Sequence, residues 1–560
     1  MSWRSVHLRL WAFLLLGICL SLLATSAARG QGGQPRAFAI RGAKVVPVSS
    51  APLENATVVV SRGIIVAVGT NVTIPPDAWV VDGKGLIVYP GLIDGLTDVG
   101  VVAATPPSSA GDSGARQQQV VSRGPEDRPA TTPWRNAADE VNATDPRVET
   151  WRSAGFTTVI AAPKGGMFPG LAAVLNLGGE RAGDLVVKSP VAIPVLLQAP
   201  GGFRSYPGSV MGGIAYVRQV WLDTNWDIQA DAIYEKNPRG MERPKYDRSD
   251  AALADALAKR AVVLIPGNTS LQIHRALGLI EEWRLNAVLY GAQMGYEVAP
   301  EIAAKKLPVL VDLKWPEAEK DSDPDAPPSL RALRFRDRAP SSPAALGKAG
   351  VKFAFYSGGI TSPKDILPAV KKSIDAGLSP DAALRALTLS PAEIFGVSEM
   401  LGSIETGKIA NLVVADGALF DKKTKVKIVF VDGRKYEVRE TLRPSELPKG
   451  DMTGKWKLSF TTPQGQEEAT ADLAMQPDGT LTGSVVSDHG SGSVFSGWVS
   501  GDKFSFTINI AIEGNSGDVI FTGTFEGTSM KGSIQAMGYN FEFTGTKPTR
   551  MAAIQAGGAQ

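Results

Sequence analysis

The chain changes character at Tyr89-Pro90-Gly91-Leu92-Ile93-Asp94-Gly95-Leu96-Thr97-Asp98. Ahead of it, within residues 36–88, short alternating runs at 39–48, 56–60 and 64–69 are broken by Gly, Asn and Pro and read as strands. Behind it, residues 101–150 are rich in Pro, Ser, Gly, Gln and charge and read as an irregular insertion or long surface loop. From Trp151 onward the pattern becomes β–α alternation. Apolar runs at 157–162, 191–197, 262–265, 287–290, 308–311 and 352–355 are separated by amphipathic helical stretches such as 270–284 and 299–306. Buried strands alternating with helices imply a parallel sheet, and the count fits an α/β fold with a TIM-like (β/α)8 barrel over 89–399.

Residues 381–395 read as a late helix that Pro391 allows to break, followed by two strands at 427–431 and 434–438. Residues 442–450 form a Pro-containing linker. From 451 to 547 the turns recur around Gly, as in Asp478-Gly479, Ser500-Gly501-Asp502 and Glu526-Gly527, which predicts a C-terminal all-β domain, a small meander sheet or barrel. Its Trp, Phe and Gly residues either fill the interior or line a cavity. Residues 548–560 are a small-residue-rich tail.

Length implies more than one domain, and 44% hydrophobic with 20% charged residues is ordinary for a globular protein. The first 30 residues read as a secretory signal: Arg4 and Arg9 precede an apolar stretch at 10–23, and Ser26-Ala27-Ala28 offers small residues at cleavage spacing. This predicts a secreted or periplasmic protein with no membrane span after cleavage. An uncleaved anchor is one alternative, and lipid attachment at Cys19, after Leu16-Gly17-Ile18, is another. Cys19 is the only cysteine, so the processed chain has no disulfide and no thiol ligand. Loss of Arg4, Arg9 and Arg29 leaves 55 basic against 56 acidic side chains, and nothing suggests nucleic-acid binding.

The segment Pro90 to Asp98 resembles the Pro-Gly-Leu-Ile-Asp-x-His-x-His opening of metal-dependent amidohydrolases. The segments 265–299 and 386–417, the latter with Ala386-Leu387-Thr388-Leu389-Ser390-Pro391-Ala392 and Gly402-Ser403-Ile404-Glu405-Thr406-Gly407-Lys408, resemble the imidazolonepropionase-like branch. The resemblance covers about residues 36–440. It implies a discontinuous β-sandwich built from 36–88 and 400–440 flanking the barrel, with zinc or another divalent metal held at the barrel mouth. It also implies hydrolysis of non-peptide carbon–nitrogen bonds. In the family the ligands are two His after strand 1, often a carboxylated Lys, one His after each of strands 5 and 6, and an Asp after strand 8. Here those positions fall on Leu96 and Asp98, Asn176, Pro266, Gly291, and Gly358 or Ser357.

No cofactor is therefore expected. Apart from His7 the chain has only His274, read as mid-helix and turned away from the mouth, and His489 in the C-terminal domain. A borderline-soft transition metal requires His or Cys among its ligands, and a hard ion held by Asp and backbone oxygens is the alternative. Two carboxylates remain near strand 1: Asp94, a catalytic candidate or a structural acceptor, and Asp98, a lone carboxylate or one half of a salt bridge. Asp312 and Lys314, placed two residues apart on one strand, are either an acid–base pair or a structural ion pair. Asn268, Gln293 and Tyr356, with Lys164 and Gln198, sit near predicted strand ends and are candidate binding residues. The expectation is a pseudoenzyme with a binding role, partnered by a catalytically intact relative or by itself. The alternative is an active hydrolase using a carboxylate–lysine site.

Overall fold

The structure is a computed structural model; it describes residues 37–102, 131–198, 207–318, 328–438 and 446–547, apart from the pairs 463–464, 488–489, 513–514 and 537–538. The signal segment with Cys19, most of the 101–150 region, His489 and the tail lie outside the described residues. The chain divides into two compact units, Gln34–Val438 and one that includes Arg439–Gln560.

In the larger unit, β1 (Ala37–Val45), β2 (Leu53–Ser61), β3 (Ile64–Gly69), β4 (Trp79–Asp82) and β5 (Ile87–Pro90) join β14 (Leu412–Ala415), β15 (Val426–Val431) and β16 (Arg434–Glu437). The order is β16-β15-β14-β5-β1-β2-β3, with β4 beside β1. The two flanks meet where Leu412 pairs with Pro90. A flat sheet would hold β1 and β15, three strands apart, at about 14 Å. Phe38 and Phe430 nevertheless meet edge to face with centroids 5.4 Å apart, so the sheet folds over on itself and encloses its own core.

The barrel comprises β6 (Leu92–Thr97), β7 (Phe156–Ala161), β8 (Ala172–Asn176), β9 (Val186–Pro194), β10 (Val263–Gly267), β11 (Ala287–Gly291), β12 (Val309–Asp312) and β13 (Phe353–Tyr356). All neighbours pair in parallel except β8, which is antiparallel to both β7 and β9. At the closure between β13 and β6, a Cβ on Gly95 would stand 2.7 Å from the Phe355 carbonyl oxygen, so only glycine admits the approach. Strand period two sorts the core. Ile93, Ile160, Val174, Ala192, Leu264, Val288, Leu310 and Ala354, one from each strand, fill the barrel interior. Val159, Ile265, Leu289, Val311 and Phe355 face the surrounding helices instead.

Part of the 101–150 region is not a surface loop. Within it a 3-10 turn at Ala137–Glu140 and most of α1 (Pro146–Ser153) are built into the barrel, and Ala137, Val148 and the α1 residue Trp151 belong to the main core. Their spacing was hidden by the polar residues between them. The late helix also breaks earlier than expected. It forms two helices, Pro380–Ala386 and Leu389–Ile394, parted at Leu387-Thr388. Pro391 lies in the first turn of the second, where a missing N–H is tolerated.

The second unit is a closed barrel of eight strands, β17 (Gly454–Thr462), β18 (Gly465–Met475), β19 (Leu481–Ser487), β20 (Gly490–Ser500), β21 (Lys503–Ile512), β22 (Asn515–Glu526), β23 (Ser529–Ala536) and β24 (Tyr539–Thr546), each antiparallel to the next. Its aromatic residues pack the interior: Phe506 stacks on Phe521 at 4.6 Å, around buried Trp456 and Phe504. The sharp curvature relies on Gly483, Gly523 and Gly532, where a Cβ would fall 2.0, 2.1 and 1.9 Å from a neighbouring strand's carbonyl oxygen.

Candidate functional site

The chemistry gathers at the C-terminal strand ends, one layer above the interior residues. Tyr290, Asp312 and Tyr356 lie two residues beyond Val288, Leu310 and Ala354, so they point inward at the mouth. With Leu96, Asp98, Trp151, Lys164 and Ser357 they line a cleft of about 470 Å³. A smaller recess of about 280 Å³, bordered by Gln198, Pro266, Asn268 and Gly291, shares Tyr290, Asp312 and Tyr356 with it. The sequence reading did not single out Tyr290; counting two residues from Val288 was the available signal.

Asp312 is the centre of the floor. Its Oδ1 accepts the Lys314 backbone N–H at 2.7 Å, and the Tyr356 side chain lines the same cleft. Burial pushes the Asp312 carboxyl up to about 6, against the Lys314 amide and the Tyr356 hydroxyl that favour its ionised form. Burial and the Asp312 charge raise the Tyr356 phenol well above its ordinary range. Tyr290 is raised by burial too; its hydroxyl donates to the Val195 carbonyl at 3.1 Å, and its ring meets that of Tyr356 edge to face at 6.2 Å.

Beside this pair the chain turns through Gly358 at φ +60°, and a Cβ there would stand only 1.6 Å from Asp312 Oδ1. The Asp312 carboxylate thus fills the space into which a side chain at position 358 would project. Below it, Asp94 is 1% exposed. Asp94 accepts the Ser357 backbone N–H at 2.9 Å and the Trp151 indole N–H at 3.4 Å. Burial lifts its carboxyl to about 6 despite these donors. Asp94 therefore links β6 to the turn after β13.

Asp98 stands at the rim with its carboxylate 2.8 Å from Lys164 Nζ and 3.2 Å from Arg147 Nη1. Burial opposes its ionisation, but the two cations outweigh it and hold the carboxyl below its ordinary range. Arg147, on α1, also bonds Asp145 and the Asp98 carbonyl. Arg147 comes from the stretch read as insertion, and Trp151 is the residue at which the β–α alternation was read to begin.

Other sequence candidates are placed differently. β12 ends at Asp312, so the two-residue period stops there: Lys314 has an exposed side chain and touches Asp312 through its backbone amide alone. Asn268 and Gln293 bind each other, with Nδ2 donating to Oε1 at 3.1 Å and the Gln293 backbone N–H to Asn268 Oδ1 at 3.1 Å. Gln293 Nε2 donates to the Lys314 carbonyl. The pair locks the loops after β10, β11 and β12 together. Asn176 is at the opposite end of the barrel, because β8 runs antiparallel and sets it beside Thr158, near the start of β7. There it accepts hydrogen bonds from Thr158 and Asn411.

The residues at the mouth do not fit a transition-metal ion. Leu96, Pro266 and Gly291 offer no donor side chain, Asp98 is already held by two cations, and half-buried Asp312 and buried Asp94 are acids raised toward neutrality. Among the described residues no group of three or more His, Cys, Asp or Glu side chains is placed to hold a metal. His274 pairs with Glu301 at 2.7 Å on the exposed outer face of its helix. Gly291, at φ +108°, is also a poor place for any larger side chain.

Comparison with known proteins agrees with this architecture. Residues 335–441 match the model of the amidohydrolase family. An amidohydrolase from Thermotoga maritima superposes with a TM-score of 0.59 at 25% identity, covering 72% of this chain and 100% of that one. A curated relative, adenine deaminase 1 of Desulfotalea psychrophila, is 30% identical over 103 residues. That match spans 17% of this chain and 16% of the enzyme's own length. Through these matches the chain is similar to the amidohydrolase superfamily.

Proposed function

We propose that this amidohydrolase-fold protein is a pseudoenzyme, exported from the cytoplasm, whose barrel mouth binds a ligand or partner without hydrolysing it. The observation that carries the reading is the overlap at Gly358, one of the two positions on which the resemblance places the family's acid, where Asp312 fills the side-chain space. More than a histidine pair is then missing: Asp312 and Tyr356 occupy the floor, and the Lys164–Asp98–Arg147 cluster takes up the one carboxylate left in a ligand slot. With no activated water and no Lewis acid, the two contributions a metal makes to amide hydrolysis are both lacking. A catalytically intact relative or a second copy of the chain is the proposed partner. Secretion or periplasmic residence rests on the N-terminal segment, with lipid attachment at Cys19 the alternative. Among the described residues no helix is long and apolar enough to cross a membrane.

The test is a panel of cyclic amides, N-acyl amino acids and dipeptides, assayed with and without zinc or manganese. No turnover above background is expected. A second reading, an active hydrolase using a carboxylate–lysine site, draws on Asp312, whose carboxyl at about 6 suits proton transfer near neutrality, and on Lys164 in the same cleft. Turnover that is abolished by Asp312→Asn or Asp98→Asn establishes that reading and removes the first.

A further inference from the structure

The long helix after β9, here α2 (Val210–Lys236), is apolar on two opposite faces. One face packs on the barrel through Gly213, Val217, Val220, Trp221 and Thr224. A Cβ on Gly213 would fall 2.0 Å from the Leu197 carbonyl oxygen, so the helix backbone sits directly on the chain below. None of the residues from Asn225 to Lys236 is buried. On the outward face Met211 is 78%, Leu222 52%, Trp226 67% and Ile233 58% exposed. Four large apolar side chains along one seam of one helix form a patch that a monomer rarely leaves in water.

We propose that this seam pairs with the same seam of a second copy, antiparallel, about a two-fold axis at Leu222. The spacing is the argument. Met211, Ala215, Arg218, Leu222, Trp226, Gln229 and Ile233 all point within about 40° of the Leu222 direction at 3.6 residues per turn. They stand eleven, seven and four residues to either side of Leu222. A two-fold pairing makes every contact reciprocal. It sets Leu222 on Leu222, Met211 on Ile233, the small Ala215 on Gln229, and the Arg218 guanidinium on the Trp226 ring, a favourable cation–π contact. Arg218 is already steadied by Glu282, its Nη2 2.7 Å from Oε2. Burying these Met, Leu, Trp and Ile side chains from both copies removes on the order of 1,000 Å² from water, near the lower bound for a specific interface, so a concentration-dependent dimer is expected. The pairing does not depend on whether the barrel mouth is catalytic.

Sedimentation of the full chain from low to high micromolar concentration tests this. The mass rises from 59.1 kDa toward twice that value. Leu222→Asp places two like charges on the axis and returns the protein to monomer, with the melting temperature of wild type at concentrations where wild type is itself monomeric, and Trp226→Ala weakens the dimer. In a Cys19→Ser background, Leu222→Cys forms an intermolecular disulfide on mild oxidation. Met211→Cys does not, because its symmetry mate lies about 33 Å away along the helix. A monomer at every concentration, a dimer indifferent to Leu222→Asp, or equal cross-linking of the two cysteine variants overturns the proposal; the first of these would mean that the face is covered by the same chain or by another protein.

Discussion

If Asp312 has taken over the space of position 358, the two positions must be energetically coupled. Gly358→Ala adds a Cβ 1.6 Å from Asp312 Oδ1 at a residue with φ +60°. The left-handed conformation costs an alanine about 1–2 kcal/mol. The clash then displaces the half-buried carboxylate from the Lys314 N–H that it accepts at 2.7 Å, a charged hydrogen bond whose loss costs about 1–3 kcal/mol. Gly358→Ala alone should therefore destabilise the barrel by about 2–5 kcal/mol. In an Asp312→Ala background every carboxylate atom near the new Cβ is gone, and only the conformational cost of about 1–2 kcal/mol remains. Urea unfolding of wild type, both single variants and the double variant, followed on the barrel transition, gives a coupling energy of about 1–3 kcal/mol. An equal cost of Gly358→Ala in both backgrounds would refute the overlap.

Asp94 makes a pH-dependent prediction. Its carboxyl is raised by burial from 3.8 to about 6 in the folded state. Below 3.8 both states are protonated and no penalty exists. Between 3.8 and 6 the unfolded chain ionises first, so stability falls as pH rises, and above 6 the loss is constant at about 3 kcal/mol. The stability of Asp94→Asn relative to wild type should accordingly climb by about that amount between pH 3.5 and 7; a pH-independent difference contradicts the burial argument. Restoring the first ligand pair with Leu96→His and Asp98→His should leave the protein inactive on the amide panel with added zinc, since Pro266, Gly291 and Gly358 supply nothing further; metal-dependent turnover by this variant would show that the remaining mouth is competent.

Much of the barrel was legible because strand and helix periods stay clean between residues 151 and 375. The exceptions have physical causes. β8 runs antiparallel, and a strand's direction leaves no mark on its residue pattern, so Asn176 was assigned to the wrong end of the barrel. α2 escaped notice because apolar residues on opposite faces cancel the contrast that marks an amphipathic helix. The flanking sheet was readable as strands, yet the Phe38–Phe430 contact that closes it is a long-range one. At the site, the residues standing where the resemblance places the family's ligands could be read one by one. Their contacts could not: the Asp312–Gly358 overlap and the Lys164–Asp98–Arg147 cluster join residues far apart in sequence. Asn268 and Gln293 were rightly placed at strand ends, but no local pattern tells an amide that faces a ligand from one that ties two loops together.

The central claim is that the barrel mouth no longer forms a metal centre. Elemental analysis of the purified chain, after loading with zinc or manganese and dialysis against a chelator, tests it most directly. The account predicts metal well below one equivalent per chain, the same for wild type and Asp98→Asn. Retention of about one equivalent that Asp98→Asn or Asp312→Asn abolishes would contradict it.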